Sequence, residues 1–283
     1  MIRLGIPILI YTTLIININQ YIISIYGAPF QPVIAYEPGH LWFLQLLLLF
    51  AVIYVLYKWL VGRFPWTLSI QIYRENFPPD SILLLSIVIL SILTFTLRLV
   101  LPVGETIRVL NIQPAHVSHY VFAFFVGVLA YRGDWFRRLT REQGRRWGLI
   151  ALVVLPLLFV IMILGGVLES DENLVKFLGG FHWQSLVYAV WETFMMVGVI
   201  VFLLYFFRER FNQAGSVAKI MAASVFTVYI IHQVVLYFLN TLFLPVSIPT
   251  IVKFILVSLI AVPLCFLLSI PIRKIPYADR VLG

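Results

Sequence analysis

Charge is what this chain has least of. Only 11% of its 283 residues are Asp, Glu, Lys or Arg, while 62% are hydrophobic. Soluble domains carry about 25% charged residues, so a chain this apolar is excluded from life as a water-soluble globule. Cysteine is nearly absent as well. Cys265, the single one, lies in an apolar run with no charged neighbour and reads as a packing residue rather than a nucleophile. The sequence has no Gly-rich phosphate loop, no serine nucleophile elbow and no paired-cysteine metal motif. Those absences disfavour an ATPase, an α/β-type serine hydrolase and a zinc enzyme. No cleavable secretory signal is expected from the first apolar run, and the sequence shows no internal repeat or low-complexity tract, which points to one domain over residues 1–283.

What the chain does have is hydrophobic length. About 20 apolar residues cross a bilayer as a helix, and eight runs qualify: 4–26, 41–60, 81–100, 117–131, 147–168, 184–207, 217–240 and 250–272. The runs are continuous rather than alternating, so a β-barrel is disfavoured. The expected fold class is all-α, a polytopic transmembrane helical bundle of about eight spans.

The connecting loops alternate in charge. Residues 132–146 hold Arg132, Arg137, Arg138, Arg141, Arg145 and Arg146 against Asp134 and Glu142, whereas 169–180 carry Glu169, Asp171 and Glu172 with one lysine. Counting Arg3, Lys58, Arg63, Arg74, Arg208, Arg210, Lys219, Arg273, Lys274 and Arg280 with the six loop arginines, sixteen of the twenty basic residues fall on one side. The positive-inside rule makes that side cytoplasmic, with both termini on it. The net charge of +8 is then a topology signal with membrane lipids as the contact, and nucleic acid is not expected as a partner. The arginine loop fits anionic lipid or, alternatively, an anionic cytosolic cofactor such as a coenzyme A thioester.

Ionisable residues at membrane depth are costly, so they are read as functional candidates. Glu192 and His232 both lie near mid-span. Together they would make a proton-transfer couple, the carboxylate orienting the ring; interhelical hydrogen bonding is the structural alternative. His40 opens the second span beside Trp42, where it is either catalytic or part of an interfacial aromatic belt. Arg98 ends the third span and either snorkels to headgroups or turns inward to hold an anionic group. His116 and His119 have a spacing that ligates metals, but no third ligand is near them in sequence, and no metal is expected.

Several phrases taken together resemble the membrane acyltransferase family 3, particularly its branch related to glucan biosynthesis protein C. They are MIRLGIP (1–7), GHLWFLQLLLLF (39–50), HVSHYVFAFFVGVLAYRGDWF (116–136), WETF (191–194), RERFNQAG (208–215) and ASVFTVYIIHQVVL (223–236). The resemblance implies an acyl-CoA-dependent O-acyltransferase of the bacterial inner membrane, with acyl-CoA as donor and a hydroxyl of a cell-envelope glycan or similar molecule as acceptor. By the same likeness Arg3 matches the second arginine of the family's Arg-x-x-Arg pair, suspected to contact the coenzyme A phosphates. His40, Glu192 and His232 match polar positions inside the bundle. The family's first two helices, with an arginine and the histidine regarded as catalytic, have no counterpart in this sequence, nor does the first arginine of the pair. Two other functions compete with this one: a transporter or flippase of an envelope precursor, and a non-catalytic scaffold retaining the family's packing.

Overall fold

The computed structural model describes residues 2–25, 29–33, 36–63, 76–107, 110–211 and 215–282. Arg74 and part of the 208–215 phrase fall outside them. In chain order the helices are α1 (Ile2–Ser24), α2 (Trp42–Arg63), α3 (Asp80–Arg98), α4 (Val117–Arg132), α5 (Trp135–Arg138), α6 (Arg141–Leu164), α7 (Asp171–Leu178), α8 (Trp183–Arg210), α9 (Ser216–Phe243), α10 (Thr250–Arg273) and α11 (Ala278–Leu282). Eight of them, with their lead-in turns, are long and apolar enough to span a membrane. They coincide with the eight runs in the sequence. Among the described residues there is no strand, only an isolated bridge between Ile107 and Ile112. The expected all-α polytopic bundle is the fold.

The boundaries follow local chemistry. α6 starts at Arg141, six residues before its apolar run, because Thr140 caps it by accepting from the Gln143 amide at 3.2 Å. Its polar first turns are then tied down. Trp147 Nε1 donates to Asp80 Oδ1 at 3.0 Å, and Arg146 pairs with both Asp80 and Glu142. The short α7 lies between two spans and is capped in the same way by Ser170, which accepts from Glu172 N. α1 contains Pro7, whose missing N–H removes one backbone bond, and then a π-turn at Tyr11–Ile15. Thr12 and Thr13 donate back to Ile8 O and Leu9 O across that loosened stretch.

The chain divides into two compact units. The first comprises Met1–Trp66, Arg108–Asn111 and Ala214–Gly283, so it carries α1, α2, α9, α10 and α11. Its core joins Ile8, Tyr11, Ile16, Leu41, Leu44 and Ile230, and a second cluster holds α9 on α10 through Val235, Leu239, Val257, Ala261 and Cys265. Cys265 is buried and unpaired in that seam. The second unit comprises Thr67–Ile107 and Ile112–Gln213, with α3 to α8. Its core of Ile87, Leu139, Trp147, Val197, Val201 and Tyr205 packs α6 and α3 against α8. Glycines let α6 and α8 approach closely. A Cβ at Gly198 would stand 3.2 Å from the Ala151 Cβ and 3.3 Å from the Trp147 carbonyl, and Gly144 lies directly under the Tyr205 ring. Close backbone approach through small residues is how helices associate where lipid supplies no hydrophobic drive between them. The outward faces carry Leu149, Leu152, Phe159 and Leu164, side chains suited to acyl tails.

Candidate functional site

Each unit gathers its own set of polar side chains. In the first, the π-turn of α1 aims Tyr11 at α9, where its hydroxyl donates to Gln233 Oε1 at 2.5 Å. His40 lies in the turn before α2, next to Gly39, and its Nδ1 meets the same Gln233 oxygen. His40 Nε2 is 3.0 Å from the Tyr229 carbonyl, and the Tyr229 hydroxyl donates to the His40 carbonyl at 2.8 Å. His232 places Nδ1 2.6 Å from that same Tyr229 carbonyl, and the two imidazoles cross edge to face at 4.7 Å between centroids.

Proton positions follow from what each atom can do. A carbonyl only accepts, so His232 Nδ1 and His40 Nε2 both carry hydrogens. Neutral His232 therefore keeps its lone pair on Nε2, a nitrogen with no hydrogen-bond partner among the described residues. The Gln233 amide serves His40 in either state: its oxygen accepts from an imidazolium Nδ1–H, and its NH₂, turned over, donates to the bare Nδ1 of the neutral ring. Tyr229 is also a wall residue of a cavity of about 630 Å³, within the usual size of ligand sites. Arg3 stands on that wall too, its Nε donating to the Arg280 carbonyl at 3.3 Å. The first unit thus joins His40 and His232 through Tyr229, and Tyr229 shares a cavity wall with Arg3.

In the second unit Arg98 turns inward. Its side chain is wholly buried at the end of α3, and Nη2 donates to Glu192 Oε2 at 2.5 Å. The guanidinium carbon lies 5.1 Å from the centre of the Tyr188 ring, a cation–π contact from the same helix as Glu192. His116 Nδ1 is 2.9 Å from Glu192 Oε1 and 3.1 Å from Arg98 Nη2. One helical turn on, His119 Nε2 meets Thr193 Oγ1 at 3.1 Å. The single Thr193 proton goes to Ala189 O at 2.8 Å. The hydroxyl can then only accept from His119, which fixes hydrogen on Nε2 and leaves Nδ1 bare. Three buried atoms of this cluster have no partner among the described residues: Arg98 Nε, Arg98 Nη1 and His119 Nδ1.

The residues singled out from the sequence are accounted for as follows. Glu192 does anchor a carboxylate–histidine couple, formed with His116, while the partner of His232 is its own helix's Tyr229. Of the two readings of Arg98, the fold takes the inward one. His116 and His119 find with Glu192 the third ligand their local sequence lacks, the three ligand atoms lying within 4.8 Å of one another. The guanidinium of Arg98 already supplies a cation to that carboxylate, and a metal would have to displace it. Tyr11 and Gln233 were not anticipated. Gln233 stands next to His232 as a second polar residue in an apolar run, which is a usable signal; nothing local marks Tyr11.

Residues 1–270 match a family model described as an acyltransferase domain, acyltransferase family 3. Comparison with the curated proteins and with the solved structures finds no match.

Proposed function

The chain belongs to acyltransferase family 3, a multi-pass membrane acyltransferase by its eight spans, and on that premise we propose that it moves an acyl group from acyl-CoA to a hydroxyl of a cell-envelope glycan or similar acceptor. The observation that carries this reading is the Tyr229 carbonyl. By holding the Nδ1 hydrogen of His232 at 2.6 Å, it leaves Nε2 as a proton acceptor in a unit that also owns a cavity walled by Arg3.

In the proposed reaction His232 Nε2 takes the proton of the acceptor hydroxyl as its oxygen attacks the thioester carbonyl. The new C–O bond forms, the C–S bond breaks, and the proton passes on to the departing coenzyme A sulfur. His40 bears on His232 edge to face, and its switchable contact with Gln233 tolerates the charge that His232 gains. Arg3 supplies positive charge for donor phosphates. In the second unit Glu192 holds Arg98, whose remaining donors suit an anionic or carbonyl oxygen. The sixteen basic residues on one side support a reading in which the donor enters from the cytoplasmic face of the inner membrane, with both termini on that face.

The test is transfer of radiolabelled acyl groups from acyl-CoA to host envelope material by membranes containing the protein. His232→Gln and His232→Ala are expected to lower the rate about 10²–10⁴-fold at equal membrane abundance, the usual contribution of a general base. Unchanged transfer in both variants would refute the role of His232. Movement of an envelope precursor across the membrane without acylation would refute the enzyme reading altogether.

A further inference from the structure

Asn19 on α1 is only 3% exposed, yet neither its Oδ1 nor its Nδ2 has a hydrogen-bond partner among the described residues. A buried amide left in that condition is costly, and the proposed chemistry gives it no part. The π-turn sets its position. Tyr11 and Asn19 stand eight places apart in the sequence, which in a regular α-helix leaves them about 80° apart around the axis. The wider winding at Tyr11–Ile15 takes up that offset, and the Asn19 carboxamide bears on the Tyr11 hydroxyl. Tyr11 in turn donates to Gln233 Oε1 at 2.5 Å, and the same oxygen meets His40 Nδ1. Asn19, Tyr11, Gln233 and His40 therefore form one line, with the His232 ring crossing its end at 4.7 Å.

The line closes its hydrogen bonds in two ways. In one, the Gln233 oxygen accepts from Tyr11 and from His40 Nδ1–H, and Tyr11 accepts from the Asn19 NH₂. His40 Nε2 also carries a hydrogen, held by the Tyr229 carbonyl at 3.0 Å, so the ring is an imidazolium. In the other, Gln233 is turned over and its NH₂ donates to Tyr11 and to the bare Nδ1 of a neutral His40. The Tyr11 hydrogen then needs a new acceptor, and Asn19 Oδ1 supplies it. The arrangements differ by one proton on His40. Two imidazolium charges at the separation of His40 and His232 oppose each other, so the pair favours one proton between them. Among the described residues the titratable groups facing His40 are Tyr11 from α1 and Tyr229 and His232 from α9. Glu37, before the His40 turn, and Tyr237 on α9 bear on Tyr11.

We propose that Asn19 and Tyr11 are positioning residues for the His40–His232 pair, acting through the Gln233 amide. Turning that amide moves the line between its two arrangements, and so decides whether His40 keeps its proton while His232 gains one. No bond other than O–H and N–H is made or broken, and the proton that leaves His40 goes to solvent. The relay rests on the hydrogen bonds of the first unit. Its service to a general base at His232 rests on the acyltransferase reading.

Asn19 acts on His40 only through the relay, and that separation gives the test. Asn19→Leu is close in shape and removes the acceptor that Tyr11 needs when His40 is neutral, whereas the other arrangement loses only an optional donor. The imidazolium is thereby favoured. The measurement is the nitrogen-15 resonance of His40 in histidine-labelled protein held in lipid nanodiscs, titrated across the imidazole range and assigned by its loss in His40→Gln. Asn19→Leu is expected to raise the His40 midpoint by about one unit, the scale of one orphaned donor, and to lower that of His232. Asn19→Met is a second filling variant with the same expected shift. Gln233→Glu, whose carboxylate oxygens only accept, should raise the His40 midpoint further still. A His40 midpoint unmoved in both Asn19 variants would mean that ordered water alone satisfies Asn19, and would overturn the proposal. A midpoint that falls in them would overturn it as well, since the neutral ring would then not depend on Asn19. The titration needs no substrate, so its failure leaves the acyltransferase reading standing, and absence of acyl transfer leaves the relay to be judged by these midpoints.

Discussion

Removing the Glu192 carboxylate should cost more than removing the Arg98 guanidinium that it holds. Arg98 is wholly buried, and its Nη2 hydrogen bond to Glu192 at 2.5 Å is its one contact with an anion among the described residues. Two of its other nitrogens already lack acceptors among the described residues. Glu192→Leu therefore strands a cation that has no means of losing its charge, and breaking a buried pair in this way costs about 3–5 kcal/mol. Arg98→Met is milder, because the Glu192 side chain keeps 22% exposure and its contact with His116, and a carboxyl can take up a proton when its cation is gone. The double variant Arg98→Met/Glu192→Leu leaves neither charge. Replacing a buried ion pair by apolar residues of similar volume is neutral or stabilising by about 1–4 kcal/mol, so it should unfold at or above the wild-type midpoint. The assay is the unfolding midpoint of the four proteins in one detergent at one lipid ratio, closed as a double-mutant cycle. The expected order places Glu192→Leu lowest, Arg98→Met between, and the double variant with wild type. A double variant whose loss equals the sum of the single losses would refute the reasoning, since it would mean the two charges do not sense each other.

Three further substitutions and one control probe the packing and the first-unit cluster. Gln233→Leu leaves the Tyr11 hydroxyl and His40 Nδ1 without their shared partner and should lower stability by about 1–3 kcal/mol for each orphaned group, read as a lower unfolding midpoint. Gly39 has φ of +50° and sits under Tyr11, whose hydroxyl would be 2.5 Å from an added Cβ. Gly39→Ala should cost about 1–3 kcal/mol for the left-handed backbone alone and detach Tyr11 from Gln233, which ultraviolet difference spectra of the tyrosines would report. Gly198→Leu forces α6 away from α8 at Ala151 and Trp147 and should cost at least the 1–3 kcal/mol of ordinary overpacking, whereas substitution of the exposed Leu152 by Ala should be nearly silent in the same melting assay.

Span positions were legible because a continuous apolar run long enough to cross a bilayer has one stable conformation there. What escaped was set by side chains rather than by hydrophobicity. The first two turns of α6 read as a charged loop, yet they are helix because Thr140 caps them and Asp80 accepts from the indole of Trp147. α7 is too polar and too short to announce itself beyond its Ser170 cap. Glu192, His232, His40 and Arg98 were visible as candidates because an ionisable group is conspicuous in a hydrocarbon-length run. Their partners were not visible. The bond between Arg98 and Glu192 joins residues 94 apart, and that between His40 and Gln233 joins residues 193 apart; no local pattern encodes such pairings. The π-turn that delivers Tyr11 follows Pro7, and a proline in an apolar run forecasts a disturbance but not its direction.

The first unit is assembled from the two ends of the chain and the short stretch Arg108–Asn111, with the second unit lying between those ends in sequence. This has a consequence for biogenesis. His40 leaves the ribosome 193 residues ahead of Gln233, a lag of roughly 10–40 s at ordinary elongation rates of about 5–20 residues per second. Throughout that interval α1 and the turn before α2 hold a phenol and an imidazole whose partner has not been made, and by its end α3 to α8 are complete and free to associate among themselves. The nascent chain therefore passes through a stage with one finished half and two waiting helices. A ribosome that stalls before α9 exposes those helices to membrane quality control, which recognises polar groups left unmatched in lipid.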